Sequence, residues 1–270
     1  MNDRYPRDLP PHSDLASLAR RLIDTEFPDP LSFIRKDSPI LSLGSCFANH
    51  ISDVLNAKGF DAFSVAMEEA ENSTFATRLL LSTDDDRIIN QLTQRELITL
   101  AALQERMRTC ECAIITIGVA HVLISEDGKY VPYHSKTFTE RKEAKAIMTT
   151  PDVNAKNVIS IIDRIRSLSP KAKVVLTVSP IPLIKSFRPG GSAFVEDCVS
   201  KSIMRVAATM VMSQSIPDVF YWPSFEIVRW LTAHSGPVFG SDVELGSRHV
   251  NADVIDVVAD LFIEKFTAPT

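Results

Sequence analysis

The sequence predicts an α/β protein built around one parallel sheet. This prediction rests on three short apolar runs, each of which ends in glycine or proline before a polar or helical stretch: Pro39–Gly44, Cys112–Gly118 and Lys173–Pro180. Apolar runs of this kind are typical of strands that are covered on both faces. Because they alternate with amphipathic helices, they indicate a doubly wound sheet with right-handed crossovers.

The first part of the chain is a polar, proline-rich arm, residues 1–37, which holds one helix near Asp14–Phe27. After the first strand, apolar residues at helical spacing predict a helix that starts near Phe47 and that Gly59 ends. Asp61–Val65 predicts a second, weaker strand.

A polar loop that contains Asn72 leads into a predicted helix from Thr74 to about Leu81. Next, Asp84–Asp86 is predicted to cap a helix that begins near Arg87, because acidic side chains are favourable at the positive end of a helix. A metal site built from these three consecutive aspartates is the alternative.

The second half of the chain continues the alternation of strand and helix. Residues 124–150 lack a sustained hydrophobic periodicity and are interpreted as an excursion from the domain. Long loops of this kind often contain binding residues. Val158–Leu168 predicts an amphipathic helix before the third apolar run. The remaining elements are a helix at about Glu196–Ser213, a last strand at Asp218–Trp222 and a closing helix at Ala252–Phe266 with Asn251 as its N-cap.

Composition and charge argue for a globular protein and against several other classes of protein. The 270 residues are 45% hydrophobic and 23% charged, which is ordinary for a globular chain, and no repeat or linker divides residues 38–270 into two domains. The net charge of −5 and the lack of a basic cluster argue against a nucleic-acid partner. No apolar run is long enough to span a membrane, and residues 1–15 do not resemble a secretory signal. The sequence predicts no particular oligomeric state.

The four cysteines, Cys46, Cys110, Cys112 and Cys198, have the spacing of neither a zinc site nor a disulfide framework. Cys110 and Cys112 are interpreted as buried small side chains, with a redox pair as the alternative. This cysteine usage predicts a reducing, cytoplasmic location. No cofactor and no metal are expected.

The predicted strand order brings two corners that contain glycine to one edge of the sheet. Five strands of a doubly wound sheet commonly take the order 2-1-3-4-5. In that order the strand ending at Gly44 lies beside the strand ending at Gly118, and ligands bind at the carboxyl edge between them. The sequence therefore predicts that Ser45 and Gly118 face each other across a cleft.

Ser45 follows the first strand directly, so its hydroxyl is predicted to lie exposed at a sharp turn into a helix. The helix N-terminus supplies free N–H groups and partial positive charge, and Gly118 brings a second backbone N–H. Together these donors suit the oxyanion that forms when Ser45 attacks an ester carbonyl. The alternative is that Ser45 only caps the helix. Cys46 is the rival nucleophile, because a thiol at a helix N-terminus has a lowered pKa.

A serine nucleophile needs a base, and topology favours two of the six histidines. His121 lies just beyond Gly118, and His249 lies in the loop before the final helix, which returns to the carboxyl edge of the sheet. Thr177 and Ser179 end the fourth strand at the same edge, where such hydroxyls either contact a substrate or cap the backbone.

Six blocks spread over about Pro39 to Phe266 carry a resemblance to a known family, and their order and number make it specific. The blocks are LGSCFA (43–48), TIGVAHVL (116–123), TVSPIPL (177–183), SKSIMRVAA (200–208), YWPSFEIV (221–228) and SRHVNADVIDVV (247–258). Together they resemble the GSCFA family of the SGNH/GDSL-like hydrolase superfamily. The resemblance implies a flavodoxin-like, SGNH-type three-layer sandwich with a serine nucleophile in the first block and a histidine in the last.

Carried over residue by residue, the resemblance makes Ser45 the nucleophile, His249 the base and Gly118 a backbone donor of the oxyanion hole. One departure concerns the side-chain donor of that hole. Two residues after the glycine, where the superfamily usually has an asparagine, this chain has Ala120. Asn72 is the candidate replacement, and a plain turn residue is the alternative.

A second departure concerns the aspartate that orients the histidine three residues before it in the superfamily. Here that position is Gly246. The candidate substitutes are Asp242, Glu244, Glu226 or a backbone carbonyl. An acid partner fixes the tautomer of the imidazole and stabilises its charged form, so its absence is expected to slow the reaction.

The resemblance implies a serine-dependent carbohydrate O-acyl esterase or O-acyltransferase that works through an acyl-enzyme. Its expected substrate is a small-molecule or glycan ester, with a bacterial polysaccharide or its precursor as the setting. Two alternatives stay open. One is a coenzyme-A-dependent acyltransferase, and the other is a non-catalytic glycan- or partner-binding module that kept the fold, which Ala120 and Gly246 favour.

Overall fold

A computed structural model describes residues 14–67, 71–93, 98–132, 144–188, 190–240 and 248–268, without the side chains of Cys46 and His234. Eight strands lie in these ranges: β1 (Pro39–Gly44), β2 (Asp61–Ala66), β3 (Cys112–Ile117), β4 (His121–Ile124), β5 (Tyr130–Val131), β6 (Lys145–Met148), β7 (Lys173–Val178) and β8 (Val219–Tyr221). The central sheet is parallel with the order β2-β1-β3-β7-β8. Counted along this sheet alone the order is 2-1-3-4-5, so the predicted fold class is confirmed.

Helices cover both faces of the central sheet and make a three-layer sandwich. One face carries α1 (Leu15–Glu26), α2 (Cys46–Ala57), α8 (Ser224–Arg229) and α9 (Ala252–Phe266). The other face carries α3 (Thr74–Ser82), α4 (Asp86–Leu92), α5 (Leu100–Thr109), α6 (Pro151–Leu168) and α7 (Ala193–Met212).

Two apolar cores form because alternate residues of a strand point to opposite faces. In β3, Ala113 and Ile115 pack in the core beneath α3 to α7, whereas Ile114 packs in the core beneath α1, α2 and α9. Every residue of β3 is buried. This explains why the strand appears in the sequence as a continuous apolar run.

The excursion and the residues just before it form structure that the sequence pattern does not predict. Strands β4, β5 and β6 form a small antiparallel sheet in the order β5-β4-β6. Strands of two to four residues are too short to show a periodicity, which is why the pattern missed them. Residues 133–143 of the excursion lie outside the described ranges.

Two local predictions, the aspartate cap and the buried cysteines, are confirmed. Asp85 caps α4 by accepting a hydrogen bond from the Arg87 amide. Cys110 and Cys112 are buried free thiols, and burial raises the pKa of Cys110 to about 11, so they are packing residues. In the part of the chain that the structure covers, no helix is both long and apolar enough to cross a membrane.

Candidate active site

Ser45 lies at the carboxyl end of β1 and is the N-cap of α2. Its Oγ accepts a long hydrogen bond of 3.4 Å from the Phe47 amide and lies 3.2 Å from Oγ of Ser179, the residue after β7. The residue is only 1% exposed, which contradicts the expectation of an exposed hydroxyl. The helix-capping role is confirmed, and the hydroxyl does lie at the edge where ligands bind in folds of this type.

Gly44 lets β1 approach β3 closely just before Ser45. Its φ is +150°, and a Cβ built on it would lie 2.6 Å from Cβ and 2.8 Å from the carbonyl oxygen of Thr116. No side chain larger than hydrogen fits that space. The glycine therefore sets the position from which Ser45 leaves the strand.

The backbone amides that follow β3 are already hydrogen-bonded within the fold. The amides of Gly118 and Val119 both donate to the carbonyl oxygen of Asn72, at 3.0 and 2.9 Å, and the amide of Ala120 donates to Oγ of Ser200 at 2.8 Å. This corrects the expected role of Gly118. Its N–H is committed to Asn72 and is not available as an oxyanion donor in this conformation.

Asn72 packs its carboxamide directly against Gly118. A Cβ built on Gly118 would lie 2.2 Å from Nδ2 of Asn72, so the glycine is needed to admit this side chain. Asn72 is 2% exposed, and neither its Nδ2 nor its Oδ1 has a hydrogen-bond partner within the described ranges. Leaving a polar group buried and unpaired costs about 1–3 kcal/mol. Such a group calls for an explanation, and a ligand that completes its hydrogen bonds is one.

His121, one of the two predicted bases, is a packed residue of β4. It is 4% exposed, its ring stacks on Phe187 at a centroid distance of 4.6 Å, and its Nε2 lies 3.5 Å from a carboxylate oxygen of Glu196. Its Nδ1 has no partner among the residues that the structure covers. Burial lowers the pKa of His121, although the nearby Glu196 opposes that shift. The ring is therefore neutral near pH 7.

Glu196 forms the anionic centre of this cluster. Its carboxylate accepts hydrogen bonds from Arg188 Nε at 2.6 Å, from Ser186 Oγ at 2.8 Å and from the Phe187 amide at 2.9 Å. The bond from Arg188, assisted by those from Phe187 and Ser186, lowers the pKa of Glu196 to about 2. Hydrogen bonds to the charged form of an acid have this effect.

We expect the Glu196 cluster to make stability fall in acid. Because the folded-state pKa lies below that of an unfolded glutamate, the stabilisation is complete above about pH 4.5 and is lost as the pH falls towards 2. His121 acts in the same direction from about pH 6.5 downwards, since its pKa is also lowered. Urea unfolding midpoints measured from pH 7 to 3 should therefore decline less in Glu196→Gln than in wild type.

The matched control is Glu264→Gln, which removes a carboxylate from an exposed pair with Arg20. Exposed pairs contribute little to stability, so this variant should follow the wild-type pH profile. Parallel profiles for Glu196→Gln and wild type would show that the Glu196 carboxylate does not govern the acid response.

His249, the other predicted base, is half-buried and lies just before α9. Its carbonyl oxygen accepts a hydrogen bond from the Gly240 amide at 3.2 Å. The neighbouring Arg248 donates to the carbonyl oxygen of Pro182 at 3.1 Å, in the loop that begins at Ser179. These contacts bring the loop of His249 to the segment that follows β7, which also contacts Ser45. A direct pair between Ser45 and His249 stays a prediction.

Of the three acidic residues predicted as partners of His249, only Glu226 lies among the described residues. The carboxylate of Glu226 accepts hydrogen bonds from the Tyr221 hydroxyl at 3.0 and 3.1 Å and is paired with Arg205. These partners give Glu226 a packing role between β8 and α7, and they lend no support to its candidacy. Asp242 and Glu244 lie outside the described residues, as do Gly246 and the side chain of Cys46.

Helix α7 places polar residues against the loop after β3, which the sequence analysis missed. The Lys201 ammonium, on a residue that is 2% exposed, donates to the carbonyl oxygen of Gly118 at 2.9 Å. Ser200 accepts from the Ala120 amide, as described above. The signal that could have found them is the buried stripe of the helix, because four of its positions are polar: Glu196, Asp197, Ser200 and Lys201.

The fold and this edge define a three-layer α/β protein in which a serine follows the first strand. A buried carboxamide, unpaired among the described residues, packs on the glycine that follows the third strand. The chain belongs to the GSCFA family, whose model matches residues 72–262. The match begins at Asn72, so the LGSCFA block at 43–48 lies outside it. No curated protein sequence matches this chain well enough to count as a relative.

Three of the solved structures that match are a GDSL-like lipase, a lipopolysaccharide acetyltransferase domain and a salicylyl-acyltransferase. The lipase, from Bacteroides thetaiotaomicron VPI-5482, is 12% identical, with 92% of this chain and 96% of that one covered and a TM-score of 0.44. The periplasmic acetyltransferase domain, from Salmonella ser. Paratyphi A, is 14% identical, with 93% and 95% covered and a TM-score of 0.44.

The salicylyl-acyltransferase SsfX3, from a tetracycline biosynthetic pathway, is 10% identical with a TM-score of 0.42. The alignment covers 84% of this chain and 52% of that one, so the chain spans about half of that protein's length. TM-scores below 0.5 are too low to transfer an activity from any of these proteins to this chain.

Proposed function

We propose that this protein is a serine-dependent carbohydrate O-acyl esterase or O-acyltransferase that works through an acyl-enzyme at Ser45. The observation that carries the proposal is the Asn72 carboxamide, which is buried and unpaired among the described residues. It packs on Gly118, at the carboxyl edge of the sheet, where Ser45 follows the end of β1. Membership of the GSCFA family supports ester chemistry, because the family resembles the SGNH/GDSL-like hydrolases.

In the proposed reaction, Ser45 Oγ attacks the acyl carbonyl while His249 takes the hydroxyl proton. Negative charge develops on the carbonyl oxygen, and the Asn72 Nδ2 group and the backbone amides at the N-terminus of α2 stabilise it. His249 then returns the proton to the departing alcohol, which leaves the acyl group on Ser45. Attack by water releases a carboxylic acid, and attack by a sugar hydroxyl transfers the acyl group.

The proposed setting is a bacterial polysaccharide or its precursor, modified in the cytoplasm. The cysteine usage favours a reducing compartment, since Cys110, Cys112 and Cys198 are free thiols. Because Ser45 is almost fully buried, substrate entry requires the edge above it to open. A slow reaction with small model esters is therefore expected.

The test is acylation by p-nitrophenyl acetate, followed by intact-protein and peptide mass spectrometry. Wild type should release p-nitrophenol and carry an acetyl group on Ser45, and Ser45→Ala should abolish both. Ser179→Ala is the matched control, because it removes the hydroxyl 3.2 Å away and leaves the nucleophile in place. Equal turnover in Ser45→Ala, or an acetyl group found only on Cys46, would remove Ser45 from the mechanism.

A non-catalytic glycan-binding module is the second candidate function. Two observations favour it: Ser45 is covered, and the Gly118 amide is used within the fold. In that case wild type forms no adduct and shows no turnover, yet an acetylated oligosaccharide raises its melting temperature. Asn72→Ala should weaken that shift.

A further inference from the structure

We infer that Tyr130 and Glu71 are positioning residues that hold the Asn72 carboxamide at the candidate site. The inference rests on the proposed function, in which Asn72 is a donor to the substrate. It assigns a purpose to the small sheet β5-β4-β6, from which Tyr130 projects.

The small sheet contacts the loop that carries Asn72 through Tyr130. The Tyr130 hydroxyl donates to a carboxylate oxygen of Glu71, the residue directly before Asn72. Glu71 has no exposed surface, and the Tyr130 ring packs against Phe75 of α3 at 6.1 Å between centroids. Burial and the adjacent carboxylate raise the pKa of Tyr130, so the phenol stays protonated and remains a donor.

Backbone hydrogen bonds fix the loop that carries Asn72 on its other sides. The carbonyl oxygen of Asn72 accepts two hydrogen bonds from the amides after β3. Ser73 caps α3 by accepting from the Ala76 amide at 3.2 Å, and its own amide donates to the Glu71 carbonyl oxygen at 2.6 Å. These bonds fix the backbone of the loop on both sides of Asn72.

The Asn72 side chain is directed against Gly118. The carboxamide has no hydrogen bond of its own within the described ranges, so the loop must hold it against Gly118. Glu71 directly precedes Asn72 in the chain. Anchoring the Glu71 carboxylate therefore restricts the backbone rotation that would move the Asn72 side chain away from Gly118. A group placed in this way is preorganised for a ligand without making a competing bond.

The experiment compares Tyr130→Phe with wild type in steady-state hydrolysis of p-nitrophenyl acetate. The variant keeps the ring on Phe75 and loses only the hydroxyl. We expect kcat to fall roughly ten- to a hundredfold, as small misplacements of a catalytic group do, with KM within about a factor of two. Tyr221→Phe is the matched control, because that hydroxyl also donates to a glutamate, Glu226, and it should leave kcat unchanged.

A double-mutant comparison distinguishes a positioning role of Tyr130 from a general loss of structure. If Tyr130 acts through Asn72, then Tyr130→Phe should cause no further loss of kcat in an Asn72→Ala background. Additive losses, or a wild-type kcat in Tyr130→Phe, would overturn the inference. If circular dichroism shows that Tyr130→Phe does not fold, Glu71→Gln takes its place, with a smaller loss of kcat that must likewise vanish in the Asn72→Ala background.

The proposed function and this inference fail in different ways. If Ser45→Ala abolishes turnover and Tyr130→Phe has no effect, the function stands and the inference is wrong. If wild type has no turnover that depends on Ser45, both are wrong, because the positioning role requires the reaction.

Discussion

Replacing Asn72 with alanine is expected to lower kcat for an ester about a hundred- to a thousandfold, the usual effect of removing one oxyanion donor. The same change should leave the free energy of unfolding unaltered or raise it by up to about 1 kcal/mol, because it removes a buried polar group that has no partner among the described residues. A loss of activity without a loss of stability is the signature of a functional group.

The matched control for this prediction is Asn56→Ala. The Asn56 carboxamide is fully used, since its Nδ2 donates to the Ala62 carbonyl oxygen and its Oδ1 accepts from the Ala62 amide, both at 2.9 Å. That variant should lose about 1–3 kcal/mol of stability and keep its kcat. Urea unfolding and initial-rate kinetics on the two variants give the comparison. If Asn72→Ala lost stability and kept its activity, Asn72 would be a structural turn residue.

The fold could be predicted from the sequence because its signal is local. The apolar run of β3 is buried along its whole length, and a strand buried on both faces leaves that pattern in the sequence whatever its neighbours are. Strand order then followed from a general preference of doubly wound sheets, and it placed Ser45 at the carboxyl edge.

The site could be predicted only in part, because its contacts join residues that are distant in sequence. Gly118 and Asn72 were both predicted to contribute to the oxyanion hole, whereas the structure uses the Gly118 amide within the fold. A glycine in a sequence indicates either an unusual backbone conformation or the close packing of another group. At Gly118 the missing Cβ makes room for the Asn72 carboxamide, and the Gly118 amide donates to the Asn72 carbonyl oxygen. The bond from Tyr130 to Glu71 and the bond from Lys201 to the Gly118 carbonyl leave no local pattern at all.

Replacing Gly44 with alanine is expected to destabilise the protein by about 3–5 kcal/mol, from a strained backbone and an overpacked contact together. The new methyl would lie 2.6 Å from Cβ and 2.8 Å from the carbonyl oxygen of Thr116, and 3.2 Å from Cβ of Ala48. The two Thr116 atoms belong to the central strand β3, which cannot move without disturbing both cores. Any shift also displaces Ser45, so the folded fraction should lose the acylation proposed above.

Gly59→Ala is the control that separates backbone strain from the clash. Gly59 ends α2 with φ +84°, and a Cβ there meets nothing within 4 Å, so only the conformational term of about 1–2 kcal/mol applies. Urea unfolding of the two variants should therefore give midpoints that differ clearly, with Gly44→Ala the lower. Equal midpoints would show that β1 does not pass β3 closely enough to need a glycine, and the corner that presents Ser45 would then have another origin.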